Sequence, residues 1–179
     1  MIKEFRPALL FLGKFLAIYF IGNILYGIFI ESYGTKADPV TVSVTMQTCN
    51  IIHQTVADCR YETNLSRPTV DLSTNGRTML AIFEGCNGIN VMIVFVAFVI
   101  AFGGPAKKQL WFIPTGISVI HVCNLIRLTL LYSTALYNKQ YFYYFHKYFF
   151  TAALYLVVFI LWFLWAGVLN PQSKSRVRA

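Results

Sequence analysis

The sequence predicts an all-α membrane protein: a bundle of about four transmembrane helices with an outer amphipathic helix and a short extended segment. Three observations carry this. The chain of 179 residues is 57% hydrophobic and only 12% charged, with a mean hydropathy of +0.59, outside the range of soluble domains of this length. Its apolar residues gather into four runs near the roughly 20 residues that cross a bilayer. Its basic residues fall at the ends of those runs, as membrane topology requires and as a nucleic-acid patch does not. The net charge of +8 therefore implies no nucleic-acid partner. The chain is too short for a bundle plus a second sizeable domain, so 1–179 reads as one membrane-embedded unit.

The first span covers 8–30. It follows the basic Lys3 and Arg6, lacks a small-residue cleavage site, and so reads as a retained span rather than a signal peptide; Lys14 snorkels. The segment 31–77 is polar and extracytoplasmic. Within it Asp38-Pro39 starts a helix, and Val44, Thr48, Ile51, Ile52, Thr55 and Val56 recur at helical spacing, which predicts an amphipathic helix lying on the membrane surface. Asn75-Gly76 marks a hairpin tip, and a short extended segment leads into the second span.

The second span, 78–102, carries Glu84 and Cys86 near its start and ends at Gly103-Gly104-Pro105. The third, 110–137, contains Pro114, His121, Asn124 and Arg127. A short aromatic connection from Asn138 to Lys147 holds His146, and 148–168 forms the fourth span, with Trp162 and Trp165 near its end. Lys3, Arg6, Lys107, Lys108, Lys174, Arg176 and Arg178 share one side, against Lys139 and Lys147 on the other, so both termini are cytoplasmic.

That orientation brings Cys86, Arg127 and His146, from three different spans, to one outer face. Arginine inside a span is rare and marks a functional site by default. An arginine lowers a thiol's pKa and can hold an oxyanion, and a histidine can take the thiol proton and return it to a leaving amine. The triplet reads as acyl-transfer chemistry. Gly85 and Gly88 open the backbone to a substrate carbonyl, which makes Asn87, Gly88 and Asn124 supports for substrate or oxyanion. His121 lies about 9 Å deeper than Arg127 and suits a polar role in the core.

No cofactor or metal is implied. The four cysteines, Cys49, Cys59, Cys86 and Cys123, include no CxxC pair. A continuous helix would hold Cys49 and Cys59 about 15 Å apart, so no bond is expected between them. Two other readings stand beside the acyl-transfer one. In the first, Glu84, Arg127 and Asn124 form a buried polar network in a non-catalytic transport or assembly subunit. In the second, Cys86 and Cys123 form a redox pair.

Three motifs, EGCNGI at 84–89, NLIRL at 124–128 and FHKYFF at 145–150, resemble in order and topology the Cys, Arg and His motifs of the exosortase and archaeosortase family, most nearly the small F type of Bacteroidetes. The resemblance covers 77–165. It implies a membrane-embedded cysteine protease or transpeptidase with Cys86 as nucleophile, His146 as proton donor and acceptor, and Arg127 as transition-state stabiliser. It also implies a bacterial inner-membrane location with the active site facing outward. Its substrates would be exported proteins bearing a C-terminal transmembrane sorting signal, met within the lipid and passed to water or to a surface glycolipid acceptor.

Overall fold

A computed structural model describes residues 2–169. Asn170-Pro171 and the basic residues Lys174, Arg176 and Arg178 lie outside the described residues. The protein is a mostly helical membrane protein. Among the described residues three helices are long and apolar enough to cross a bilayer, spanning Phe5–Glu31, Ala106–Tyr137 and Lys139–Gly167.

Helix α1 (Ile2–Glu31) lies at the edge of the bundle, packing its Phe11 edge-on to Phe98 and Phe102 of the next apolar helix, α3 (Ile89–Phe102). Gly22 of α1 faces Ile93 so closely that a Cβ would sit 2.8 Å from it. Small residues of this kind set helix approach where lipid supplies no hydrophobic force. Helix α4 (Ala106–Tyr137) has 32 residues, about 48 Å at the helical rise, against about 30 Å of hydrocarbon. The excess carries the rest of the molecule.

Around the Tyr137 half of α4 sits a cap. Helix α2 (Pro39–Thr55) begins at Asp38, whose side chain accepts from the Val40 and Thr41 amides, with Pro39 in the first turn. Its apolar face is turned into the protein. Val44, Thr48 and Ile52 are buried, and Gln47 meets His121 of α4 at 2.8 Å. After α2 comes an antiparallel sheet in the order β1 (Arg60–Thr63), β2 (Val70–Thr74), β3 (Arg77–Ile82). Asn75 (φ 51°) and Gly76 (φ 73°) make the expected hairpin tip, both left-handed as that turn requires. Alternate residues Val70, Leu72 and Thr74 face inward, and Thr74 reaches the Tyr132 hydroxyl of α4. The single extended segment of the sequence reading is thus one edge of a sheet.

Three further expectations are corrected. The stretch 78–102 is not one helix. Thr78–Ile82 pairs in β3, Glu84–Cys86 is a single 3-10 turn, and α3 supplies only 14 helical residues. The break falls where Gly85, Asn87 and Gly88 disfavour helix, while the uniform apolarity on either side of it conceals the change. Cys49 and Cys59 are joined by a disulfide, with Cα atoms 5.6 Å apart. The chain leaves the helix after Thr55 and doubles back, so the straight-helix separation never applies. Finally, 138–147 is not a loop. The chain turns helical at once in α5 (Lys139–Gly167), which includes a π-helical stretch at Phe145–Phe149.

Two hydrophobic cores result. Met92, Phe95, Phe112, Ile120, Val158 and Trp165 fill the membrane half between α3, α4 and α5. Val44, Ile52, Leu72, Ile82, Leu128 and Tyr132 fill the cap, and Cys86 belongs to that second core.

Candidate active site

Cys86 closes the 3-10 turn between β3 and α3, 5% exposed, its amide bonded to the Phe83 carbonyl at 2.8 Å. Burial pushes the thiol above its ordinary value of 9.0, and Glu84 adds to this. Arg127, half-buried on α4, opposes the shift by its charge and by the N–H groups it brings to the sulfur. Burial wins. At neutral pH the resting group is a thiol, so its chemistry requires a base.

His146 supplies an imidazole near enough to Arg127 to feel the guanidinium charge. Its ring stacks on Phe142, centroids 5.7 Å apart, and it sits inside the π-helical stretch. An extra residue in a helical turn re-aims the side chains that follow, which is why such bulges gather at functional sites. Among the described residues no hydrogen bond joins His146 to Cys86; the charge of Arg127 acts on both. His121 is engaged with Gln47 instead.

The arginine is not consumed by a structural pair. Among the described residues no ion pair joins it to Glu84; the pair that does form is His53 with Asp58 at the surface, 3.2 Å apart. Cys86 and Cys123 are both free, and they lie in different cores, Cys86 in the cap and Cys123 against the membrane half. A redox pair between them therefore has no support in the fold.

Three supporting residues take roles other than those expected. Asn124 donates to the Cys86 carbonyl at 3.0 Å while its own Oδ1 is buried without a partner. It braces the turn from α4. Gly88 (φ 89°) does not open the backbone to substrate, because the Asn124 amide fills the space, 3.2 Å from where a Cβ would lie. Asn87 is fully buried and saturated: Nδ2 donates to the Tyr26 hydroxyl at 2.7 Å and to Thr41 Oγ1 at 3.0 Å, and Oδ1 accepts from the Ile89 amide at 3.0 Å. It has nothing left for an oxyanion. Among the described residues no ion pair or side-chain hydrogen bond to an acid ties up Arg127, which leaves it able to hold one.

Tyr26, Asp38 and Thr41 were not identified as site residues from the sequence. Asp38 was legible as a helix start; Tyr26 and Thr41 were not singled out. The long-range link of Tyr26 and Thr41 to Asn87 was not legible. No family model, no curated protein and no solved structure matches this chain.

Proposed function

We propose that the chain is a membrane-embedded cysteine peptidase or transpeptidase of the exosortase kind, acting on exported proteins that carry a C-terminal membrane-spanning sorting signal. The observation that carries this reading is the Arg127 guanidinium acting on both the buried Cys86 thiol and His146, with, among the described residues, no acidic residue paired to it.

In the proposed reaction His146 takes the Cys86 proton as the sulfur attacks the scissile carbonyl. Arg127 holds the oxyanion of the tetrahedral intermediate. Collapse expels the amine, which recovers the proton from His146, and leaves a thioester on Cys86. Water or an amine, such as that of a surface glycolipid, then takes the acyl group. A substrate helix held in the same lipid brings its outer end to the depth of Cys86, which converts the encounter into an effectively intramolecular one.

The proposed setting is the inner membrane of a bacterium, with both termini cytoplasmic and the cap outside. Two features support that orientation: Lys107 and Lys108 lie at the end of α4 opposite the cap, and the Cys49–Cys59 disulfide belongs to an oxidising compartment. In this setting α3 makes a short fourth crossing whose outer end is the Cys86 turn.

The test is capture of a hydroxylamine-labile acyl adduct on Cys86 when the protein is co-expressed with an exported protein ending in an apolar helix and basic cluster. Cys86→Ser should abolish the adduct and substrate maturation while membrane abundance stays normal. Normal maturation by that variant would overturn the reading in favour of a non-catalytic subunit with a buried polar network.

A further inference from the structure

The turn bearing Cys86 is held by a hydrogen-bond chain whose direction is dictated from one end. That end is Asp38, 3% exposed. Its carboxylate accepts from the Val40 amide at 2.9 Å, the Thr41 amide at 3.0 Å and the Thr41 hydroxyl at 2.5 Å. A carboxylate offers only lone pairs, so the single hydroxyl proton of Thr41 is spent on it. Thr41 Oγ1 then has only acceptor capacity for Asn87, which must present Nδ2.

With its amide so oriented, Asn87 gives its other N–H to Tyr26, and its Oδ1 falls to the Ile89 amide, the first residue of α3. The Tyr26 proton is left for the Glu84 carbonyl, 3.5 Å away. A flipped amide would set Oδ1 against the Thr41 oxygen, two acceptors in a buried place, and would leave the Ile89 donor facing a second donor. One arrangement therefore survives. It registers α1, α2 and the turn against each other at the residue next to Cys86, while Asn124 holds the Cys86 carbonyl from α4.

Stability alone does not call for this arrangement. Burying a carboxylate, a hydroxyl and an amide carries desolvation penalties that well-packed apolar groups would avoid. What the chain supplies is a unique position for one turn.

We propose that Asp38, Thr41 and Tyr26 are positioning residues that act through Asn87 to hold Cys86 against Arg127. The proposal rests on Cys86 being the reactive thiol, but it is tested without any substrate. The readout is the rate at which iodoacetamide alkylates Cys86 in full-length protein in membranes, measured by mass spectrometry, with the Cys49–Cys59 disulfide monitored as the sign of a folded cap.

Thr41→Val removes the directing oxygen and should slow alkylation about tenfold, the effect of roughly one pKa unit lost from the thiolate. Thr41→Ser, which restores the hydroxyl, should recover most of the rate. Arg127→Gln should slow the wild-type protein by a similar factor, yet add less than about twofold in the Thr41→Val background, because the arginine no longer addresses the sulfur. Where Thr41→Val fails to form the disulfide, Tyr26→Phe decides, since it deletes one hydroxyl; it should slow alkylation and weaken the Arg127 effect in the same way. A wild-type rate with an undiminished Arg127 effect in these disulfide-bonded variants would overturn the proposal. Normal coupling in a protein that forms no acyl adduct would leave the positioning role standing and remove the peptidase reading.

Discussion

The membrane half and the cap share α4 but are held together by opposite means. In the membrane half the contacts are apolar and close: Phe98 stacks on Trp162 at 4.3 Å, Phe112 on Trp165 at 5.0 Å, and Gly116 admits the Phe95 ring where a Cβ would collide. In the cap the packing is threaded with polarity. The buried polar residues Asp38, Thr41, Thr45, Thr48, Thr74, Asn87 and Asn124 all belong to it or to its boundary with α3. Thr45 and Thr48 return their hydroxyls to carbonyls one turn back, at 2.7 Å and 2.8 Å, and so pack almost as hydrocarbons. Asp38 caps its own helix, and the remaining four reach across the chain. The lesson is that chemistry has been confined to a boundary where both lipid-like packing and directed hydrogen bonds are present, and Cys86 sits on that boundary.

The largest expected effect tests whether the halves are separable. Cys59→Ser opens a loop with a sequence separation of 10, which should lower cap stability by about 3 kcal/mol. Hydrogen exchange should rise in α2 and the sheet and stay unchanged in α3 and α5. Equal loosening of both halves would break the comparison.

Gly116→Ala addresses the other side. Overpacking against Phe95 should destabilise the membrane half by about 2 kcal/mol, visible as increased exchange in α3 with the disulfide and sheet protected. Gly88→Ala falls between the two, since it forces a side chain into a left-handed conformation (φ 89°) against Asn124. A loss of about 1 kcal/mol should come with altered Cys86 alkylation, whereas Gly116→Ala should leave alkylation alone.

The smallest effect is a titration. Cys86 keeps its proton in the folded protein above 9.0, where an unfolded chain would release it. The folded state then binds more protons than the unfolded one, so stability falls as pH rises past that value. Arg127→Gln removes the cation that opposes this shift. The midpoint of the Cys86 alkylation profile should move further upward, and a downward move would contradict the assigned role of the arginine.

Local signals in the sequence were sufficient where the chemistry is local. Asp38-Pro39 begins α2, Asn75-Gly76 turns the hairpin, and Gly103 ends α3 with its amide on the Val99 and Ile100 carbonyls. Where two elements share one apolar composition, the boundary was hidden, as in the merging of β3 with α3. The disulfide was missed because it depends on where α2 stops, and the residues after Thr55 carry no strong breaker. At the site, alternating span direction led the sequence reading to expect Cys86, Arg127 and His146 on one face, and the Arg127 charge does act on both of the others. The role of Asn87 could not, because an amide serves equally as oxyanion donor and as strut. Its partners lie 61 and 46 residues away, beyond any periodicity argument.

The placement of the disulfide also orders events during synthesis. The chain emerges from its N-terminus, so Cys49 and Cys59 are both made before Cys86, and α4, which carries Arg127 and the floor of the cap, is made later still. A cross-link between near neighbours on the chain can close while the partner helix is still absent. When Cys86 appears, the two cysteines made before it can already be bonded to each other. The order of translation thus favours a single nucleophile candidate, since its two possible partners in the cap can close on each other before its arginine is made.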